Sequence, residues 1–314
     1  MAKISVVIAV YNGEDYIKDC LYSVKEQKFN DFEIIVVDDC SSDATKCILE
    51  ELNSSFDFIN IRLDINVGAA RARNIGIEKS SSDLIAILDA DDKMLPERLE
   101  LQYDFMLSNP DYVVVGGNAL FVDMNGKYIF QTEQKVSNEE IRSVLPDSPF
   151  IHPSIMFRKN EFLLCGGYPT YMRRSQDTVM LNRLLTYGKG ANLTKPVIIY
   201  RLTPGSNSLR NRIERKRFKS IIENAIEFDY ISQEDDNFVR DSMINNQSVN
   251  KLFNYYLLLS KKYLWNSYDF KMARINALKA LRIRTNYEVI FVLALSFLPK
   301  SGVRFLYTFL KNIE

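Results

Sequence analysis

The sequence predicts an α/β fold: a mixed, mostly parallel sheet flanked by helices, followed by a C-terminal helical extension. Two observations carry this. Over the first hundred residues, Ile- and Val-rich apolar runs alternate with helical stretches. Their apolarity is continuous rather than alternating, as in strands covered on both faces. Beyond residue 205 strand signals fade, and 208–284 reads as charged helix. The expected division is 1–205 for the sheet domain and 206–314 for a helical region.

Each element follows in order. Strands are expected at ISVVIAV (4–10), FEIIVV (32–37), INIRL (59–63) and LIAIL (84–88), with helices near 14–27, 43–53 and 69–79 between them. Ser41 or Ser42 can cap the second helix, with Asp43 in its first turn. A β-α-β-α-β-α-β order implies right-handed crossovers in a parallel sheet. Pro96 suits the start of a helix near 95–107. Asn125-Gly126 reads as a tight hairpin. QDTVMLNRLLTYG, from 176, reads as a helix ended by Gly188, with a strand at 196–200. HPSIMF, from His152, reads as the start of a strand.

Composition excludes several classes. Of 314 residues, 46% are apolar and 25% charged, ordinary globular usage that rules out disordered, collagen-like and polytopic membrane chains. One His leaves no histidine cluster and argues against most zinc chemistry. Cys20, Cys40, Cys47 and Cys165 form no C-x-x-C pair, which suits a reducing compartment. The N-terminal run is too short and too β-branched for a signal peptide, so a cytoplasmic location is expected. Forty basic and forty acidic residues cancel, giving no general pull toward nucleic acid. The cancellation hides an acidic front, 21 against 29 over 1–199, and a basic tail, 11 against 3 over 245–314.

In an open parallel sheet, ligands bind beyond the carboxyl ends of the strands. Those ends carry Tyr11-Asn12-Gly13, then Asp38-Asp39, then Asn66-Val67-Gly68, and finally Asp89-Ala90-Asp91-Asp92. Asp and Gly are also ordinary turn residues; their coincidence on one edge is what points to a site. Clustered carboxylates such as those of ILDADD imply an oxygen-ligated cation, Mg²⁺ or Mn²⁺, and hence a phosphate-bearing ligand. A helix N-terminus favoured by the dipole explains them equally well. Neither a Walker A nor a G-x-G-x-x-G motif is present, so phosphates must be met by cations, with Arg71 and Arg73 as candidates.

The ordered stretches SVVIAVYNGEDYIKDCLYSVKEQKFNDFEIIVVDDCSSD, NVGAARARNIGIEKSSSDLIAILDADD and HPSIMFRKNEFLLCGGYPTYMRRSQDTVMLNRLLTYG resemble the inverting family 2 glycosyltransferases of GT-A (Rossmann-like) fold, of the bacterial cell-surface polysaccharide type. The resemblance spans 4–187. It implies a nucleotide-diphospho-sugar donor, commonly UDP-linked, and a hydroxyl acceptor on a glycan or lipid-linked glycan. The activity implied is hexosyl or N-acetylhexosaminyl transfer. Tyr11 would pack on the base and Asp39 accept a hydrogen bond from it. Arg73 would approach the donor. Asp89 would hold ribose and, through water, the metal, while Asp91 would touch the metal directly. Asp177 would be the general base, and Gly166, Gly167 and Tyr168 the pocket floor. His152 either lines the acceptor pocket or is structural. Three positions depart from the family pattern: Cys40 for a glycine, Gln176 for an acid, and Thr203 for a frequent metal-binding histidine.

Two other readings compete. One is a nucleotide-sugar-binding subunit without turnover. The other is a haloacid dehalogenase-type phosphohydrolase, whose D-x-D lies near the start of its domain, whereas three strand-helix units precede Asp89 here. In the tail, Arg210, Arg212, Arg215, Lys216, Arg217 and Lys219 form a basic run, ordinarily a solvated face. The apolar runs 289–298 and 303–310 fall short of the ~20 residues that span a bilayer. They suit a helical hairpin packed on the domain or on a twin subunit, or an interfacial contact with an anionic leaflet at the inner face of the plasma membrane.

Overall fold

A computed structural model describes residues 2–204, 212–244 and 249–313; for 212–216, 242–244, 249–250 and 309–313 it describes the backbone alone. The order is β1 (Ile4–Val10), α1 (Ile17–Lys25), β2 (Phe32–Asp38), α2 (Thr45–Asn53), β3 (Ile59–Arg62), α3 (Ala69–Lys79), β4 (Leu84–Asp89), β5 (Lys93–Met94), α4 (Arg98–Ser108), β6 (Tyr112–Val122), β7 (Tyr128–Gln131), α5 (Asn138–Arg142), β8 (Met156–Arg158), α6 (Lys159–Leu164), α7 (Gln176–Leu184) and β9 (Lys189–Arg201). The chain continues with α8 (Arg212–Phe228), α9 (Gln233–Ile244), α10 (Val249–Lys262), α11 (Phe270–Ile283), α12 (Tyr287–Leu295) and α13 (Lys300–Ile313).

The sheet runs β3-β2-β1-β4-β8-β6-β9-β5, with β7 beside β6. β3, β2, β1 and β4 are parallel, while β8 pairs antiparallel with β4 and β6, and β5 with β9. The chain steps outward from β1 through β2 to β3, then returns to the other side of β1 as β4. That reversal opens a crevice at the carboxyl ends of β1 and β4. Register aligns the ends: Val10 pairs with Asp38, and Ala9 with Asp89.

Helices seat by their apolar faces. α1 buries Ile17, Cys20, Leu21 and Val24 at i, i+3, i+4 and i+7. α3 lies closer to the sheet because Gly76 has no side chain; a Cβ there would stand 2.7 Å from Val7 Cγ1. A continuous core of Val7, Ile77, Ile87, Phe157, Phe162 and Leu181, among others, joins sheet to helices.

Several expectations are adjusted. The helices expected at 14–27, 43–53 and 95–107 begin later, at Ile17, Thr45 and Arg98. Neither Ser41 nor Ser42 caps α2: Ser41 Oγ accepts from Asn12 N instead, and Asp43 accepts from Thr45 N. Residues 152–154 form a 3₁₀ turn, and the strand begins at Met156. The strand expected at 196–200 starts at Lys189. The helix expected to end at Gly188 stops at Leu184, and Gly188 serves close packing, since a Cβ there would stand 2.4 Å from Val113 Cγ1 and 2.8 Å from the Asp111 carbonyl.

The chain forms two compact units that interleave along the sequence. The first comprises residues up to 119, 132–200 and 212–239; the second comprises 120–131, 201–211 and 240 onward. α8 and α9 thus share a core with the sheet unit, through Met172, Val179, Phe218, Ile222 and Val239. Arg217 pairs with Glu234 at 2.8 Å and sits over the Phe238 ring, and Lys219 is exposed. Arg210 and the side chains of Arg212, Arg215 and Lys216 lie outside the described residues. The second unit packs Phe253 and Leu257 of α10 against Ala277 and Ala280 of α11 and Val289 of α12. Among the described residues, no helix is long and apolar enough to cross a membrane.

Candidate active site

The loops after β1 and β2 are stitched together. Asn12 N donates to Ser41 Oγ at 2.9 Å, and Ser42 N returns a bond to Asn12 Oδ1 at 2.8 Å. Gly13 N donates to Thr45 Oγ1, and Ala44 N to Glu14 Oε2, each at 2.8 Å. Asn12 adopts φ 52°, which Asn tolerates better than most residues. Tyr11 rises from this platform with half its surface exposed. Asp38 is buried, accepting from Ser41 N and pairing with Arg62.

Asp39 is also buried; its oxygens accept from Val67 N at 2.7 Å and Gly68 N at 2.9 Å. It therefore shapes the turn into α3, and each oxygen keeps a lone pair for a further donor. Cys40 adopts φ 62°, so the position that the family fills with glycine is one where a side chain is strained.

α3 carries Arg71, which is exposed, and Arg73, which turns inward. Arg73 Nη2 donates to Asp89 Oδ1 at 2.6 Å. Burial alone would raise the Asp89 carboxyl, but the charge and hydrogen bond of Arg73, with the neighbouring His152 and Arg98, together outweigh it and hold the group below its usual range. His152 Nδ1 stands 4.0 Å from the same oxygen, and its Nε2 meets Tyr168 OH at 2.7 Å. Burial pushes the imidazole below its ordinary value, and the Arg73 charge adds to this. Burial likewise keeps the Tyr168 phenol protonated by raising its pKa. Asp177, half-buried in the first turn of α7, lies within electrostatic reach of Arg73, His152 and Tyr168. Asp89, Arg73, His152 and Tyr168 therefore form one cluster, with Asp177 within electrostatic reach of it.

The glycines stand beside it. Gly166 and Gly167 adopt φ 86° and 67°, and a Cβ on Gly167 would press on Asn74 and Phe162. Asn74, one residue past Arg73, bonds Tyr168 twice, to its carbonyl at 2.9 Å and from its amide at 3.0 Å. Ser175, just before α7, takes φ 61°. Six of the chain's nine described positive-φ residues (Asn12, Cys40, Gly68, Gly166, Gly167 and Ser175) sit on loops around this cluster.

Sequence reasoning missed Arg98, Asn74 and the Asn12 latch. Arg98 lies at the start of a charged-looking helix, and nothing in its spacing marks it as buried. Yet it is fully enclosed, donating to the carbonyls of Ile87, Pro153 and Ile155 and to Gln102. It ties the end of β4 to the His152 turn. Burial pushes its guanidinium down to about 9. Asn12 was signalled, in retrospect, by its place between an aromatic and a glycine after the first strand.

Among the described residues, no three His, Cys, Asp or Glu side chains converge as a metal site. One Asp89 oxygen is taken by Arg73, and Asp91, two residues past the end of β4, is half-buried. This sparse carboxylate set fits a hard cation that draws most of its shell from phosphate oxygens and water, as Mg²⁺ does. Thr203 is half-buried and belongs to the second unit.

Residues 5–175, more than half of the chain, match the family described as glycosyl transferase family 2. The chain belongs to that family. The match ends two residues short of Asp177. Among curated family relatives, the chain is 29% identical over 212 residues to the amylovoran biosynthesis glycosyltransferase AmsE of Erwinia amylovora, covering 66% of this chain and 79% of that protein. It is 41% identical over 105 residues to the putative teichuronic acid biosynthesis glycosyltransferase TuaG of Bacillus subtilis, covering 33% of this chain and 42% of that protein. A crystal structure of S. aureus TarS (residues 1–349) with UDP-GlcNAc superposes with a TM-score of 0.57 at 18% identity, covering 98% of this chain and 91% of that one. At that identity the likeness speaks to the fold, which is GT-A.

Proposed function

We propose that the chain is an inverting glycosyltransferase. It would move a hexosyl or N-acetylhexosaminyl group from a nucleoside-diphospho-sugar, with UDP as carrier, to a hydroxyl of a glycan or lipid-linked glycan. The observation that carries this is the cluster at the carboxyl end of β4, where Arg73 pairs with Asp89 and Asp177 lies within its electrostatic reach. TarS was crystallised with UDP and with UDP-GlcNAc, and AmsE and TuaG are polysaccharide biosynthesis enzymes by name, which supports this donor and acceptor class.

The roles follow from the chemistry. Tyr11 offers an exposed ring to the base, and Asp39 a buried acceptor beside it. Arg73, fixed by Asp89, lies next to the departing diphosphate, with Arg71 at the rim. Asp91, aided by Asp89 through water, would hold Mg²⁺ or Mn²⁺, which when bound offsets the charge of the leaving group. Asp177 takes the acceptor proton as the new bond forms. His152, Gly166 and Gly167 line the sugar and acceptor pocket. Attack from the face opposite the diphosphate inverts the anomeric centre.

The test is Asp177→Asn with a panel of nucleotide-sugars and either cation. Loss of a general base should lower kcat by roughly 10²–10⁴, while calorimetry shows donor affinity retained. A wild-type chain that binds donor and turns nothing over would instead be a binding subunit.

A further inference from the structure

Apart from Glu288, α12 is apolar all round, yet the core uses one face of it. Val289, Val292 and Leu295 point inward and are buried. The opposite face presents Tyr287, Ile290, Phe291 and Ala294, and continues past the helix into Phe297 and Leu298. These fall at i, i+3, i+4, i+7, i+10 and i+11, one unbroken helical stripe. Tyr287 is 79% and Phe297 70% exposed, and Phe305 of α13 is 71% exposed. A contiguous apolar stripe of this kind on a polar-rimmed surface marks an interaction site.

Charge identifies the occupant. From Phe270 to Ile313 there are eight Lys and Arg but one acid, Glu288, and Glu288 is paired with Lys261 at 3.0 Å. The Arg274 guanidinium lies over the Phe297 ring at 4.9 Å, at the end of the stripe. Lys300 and Arg304 are exposed one turn apart on α13. A twin copy joined by a two-fold axis would bring this basic surface against itself. Anionic lipid headgroups instead complement the rim, while acyl chains receive the stripe.

We propose that the α12 face, with its Arg274–Lys300–Arg304 rim, docks on an anionic lipid surface. This holds whatever the chemistry at Asp177, so its test is independent of catalysis. The full chain is sedimented with vesicles of phosphatidylcholine alone and with an equal part of phosphatidylglycerol added. Wild type should pellet with the anionic vesicles, and rising salt should weaken the binding. Replacing Ile290 and Phe291 by Ser should return the protein to the supernatant. Lys300→Glu with Arg304→Glu should cut partitioning by about fivefold per charge. Ile290 and Phe291 are exposed, so the melting temperature of that variant should stay unchanged. Lys300 and Arg304 also lie over the Tyr268 ring, so for that pair a native circular dichroism spectrum at the assay temperature reports folding. Equal recovery in the supernatant with both vesicle types overturns the proposal. So does a wild-type dimer in solution that the Ile290/Phe291 variant makes monomeric, since the stripe would then belong to a second copy.

Discussion

His152 is the sole imidazole in the chain, which makes its titration readable in the stability of the whole protein. Burial holds its folded pKa below the unfolded value of about 6.5. The unfolded chain therefore binds the proton more readily. The stability contributed by keeping the ring neutral is present above about pH 6.5 and is lost as pH falls through that value. The melting temperature should drop between pH 7 and pH 5, and His152→Asn should flatten that slope. An unchanged slope would mean that the ring takes up its proton equally in the folded and unfolded states. Asp89 acts in the same direction but lower, because Arg73 depresses its carboxyl; its share of stability disappears only under strong acid.

At the scale of elements, α3 is the member whose seat matters most, since it delivers Arg73 and Asn74 to the cluster. Ordinary helix propensity favours Ala over Gly by about 1 kcal/mol. At Gly76 the new methyl would stand 2.7 Å from Val7 Cγ1 and 3.2 Å from Val37 Cγ2, and overpacking a core of this kind costs about 1–3 kcal/mol. Gly76→Ala should therefore destabilise in urea titrations despite the better helix former, and should weaken donor binding as Arg73 shifts. A gain in stability would show that α3 has room to move.

The two units suggest a whole-molecule experiment. Trp265 is the sole tryptophan and stacks on Tyr307 in the second unit, with ring centroids 5.4 Å apart. Its fluorescence reports that unit alone, whereas circular dichroism reports both. UDP-sugar with Mg²⁺ stabilises only what binds it, so the dichroism midpoint should rise while the Trp265 midpoint stays put. Matched rises would mean that the units unfold together. The sheet unit was also the legible one. Continuous apolar runs at 4–10, 32–37 and 84–88 mark buried parallel strands directly, and the residues after them mark the crevice. β5 escapes notice because a strand of two residues carries no periodicity, whereas β8 is legible in HPSIMF and only its start, at Met156, is displaced. The start of β9 escapes because Gly188, which reads as a helix end, is required there by close packing against Val113. Arg98 is hidden for a related reason: a guanidinium satisfied by carbonyls from distant strands leaves no local trace in the sequence.

The reciprocal latch between Asn12 and Ser41–Ser42 fixes the backbone on either side of the platform from which Tyr11 projects. An aromatic surface set in place during folding loses little freedom when a flat heterocycle settles on it. On the role proposed for Tyr11, capture of a nucleobase there would be a matter of contact rather than of backbone rearrangement.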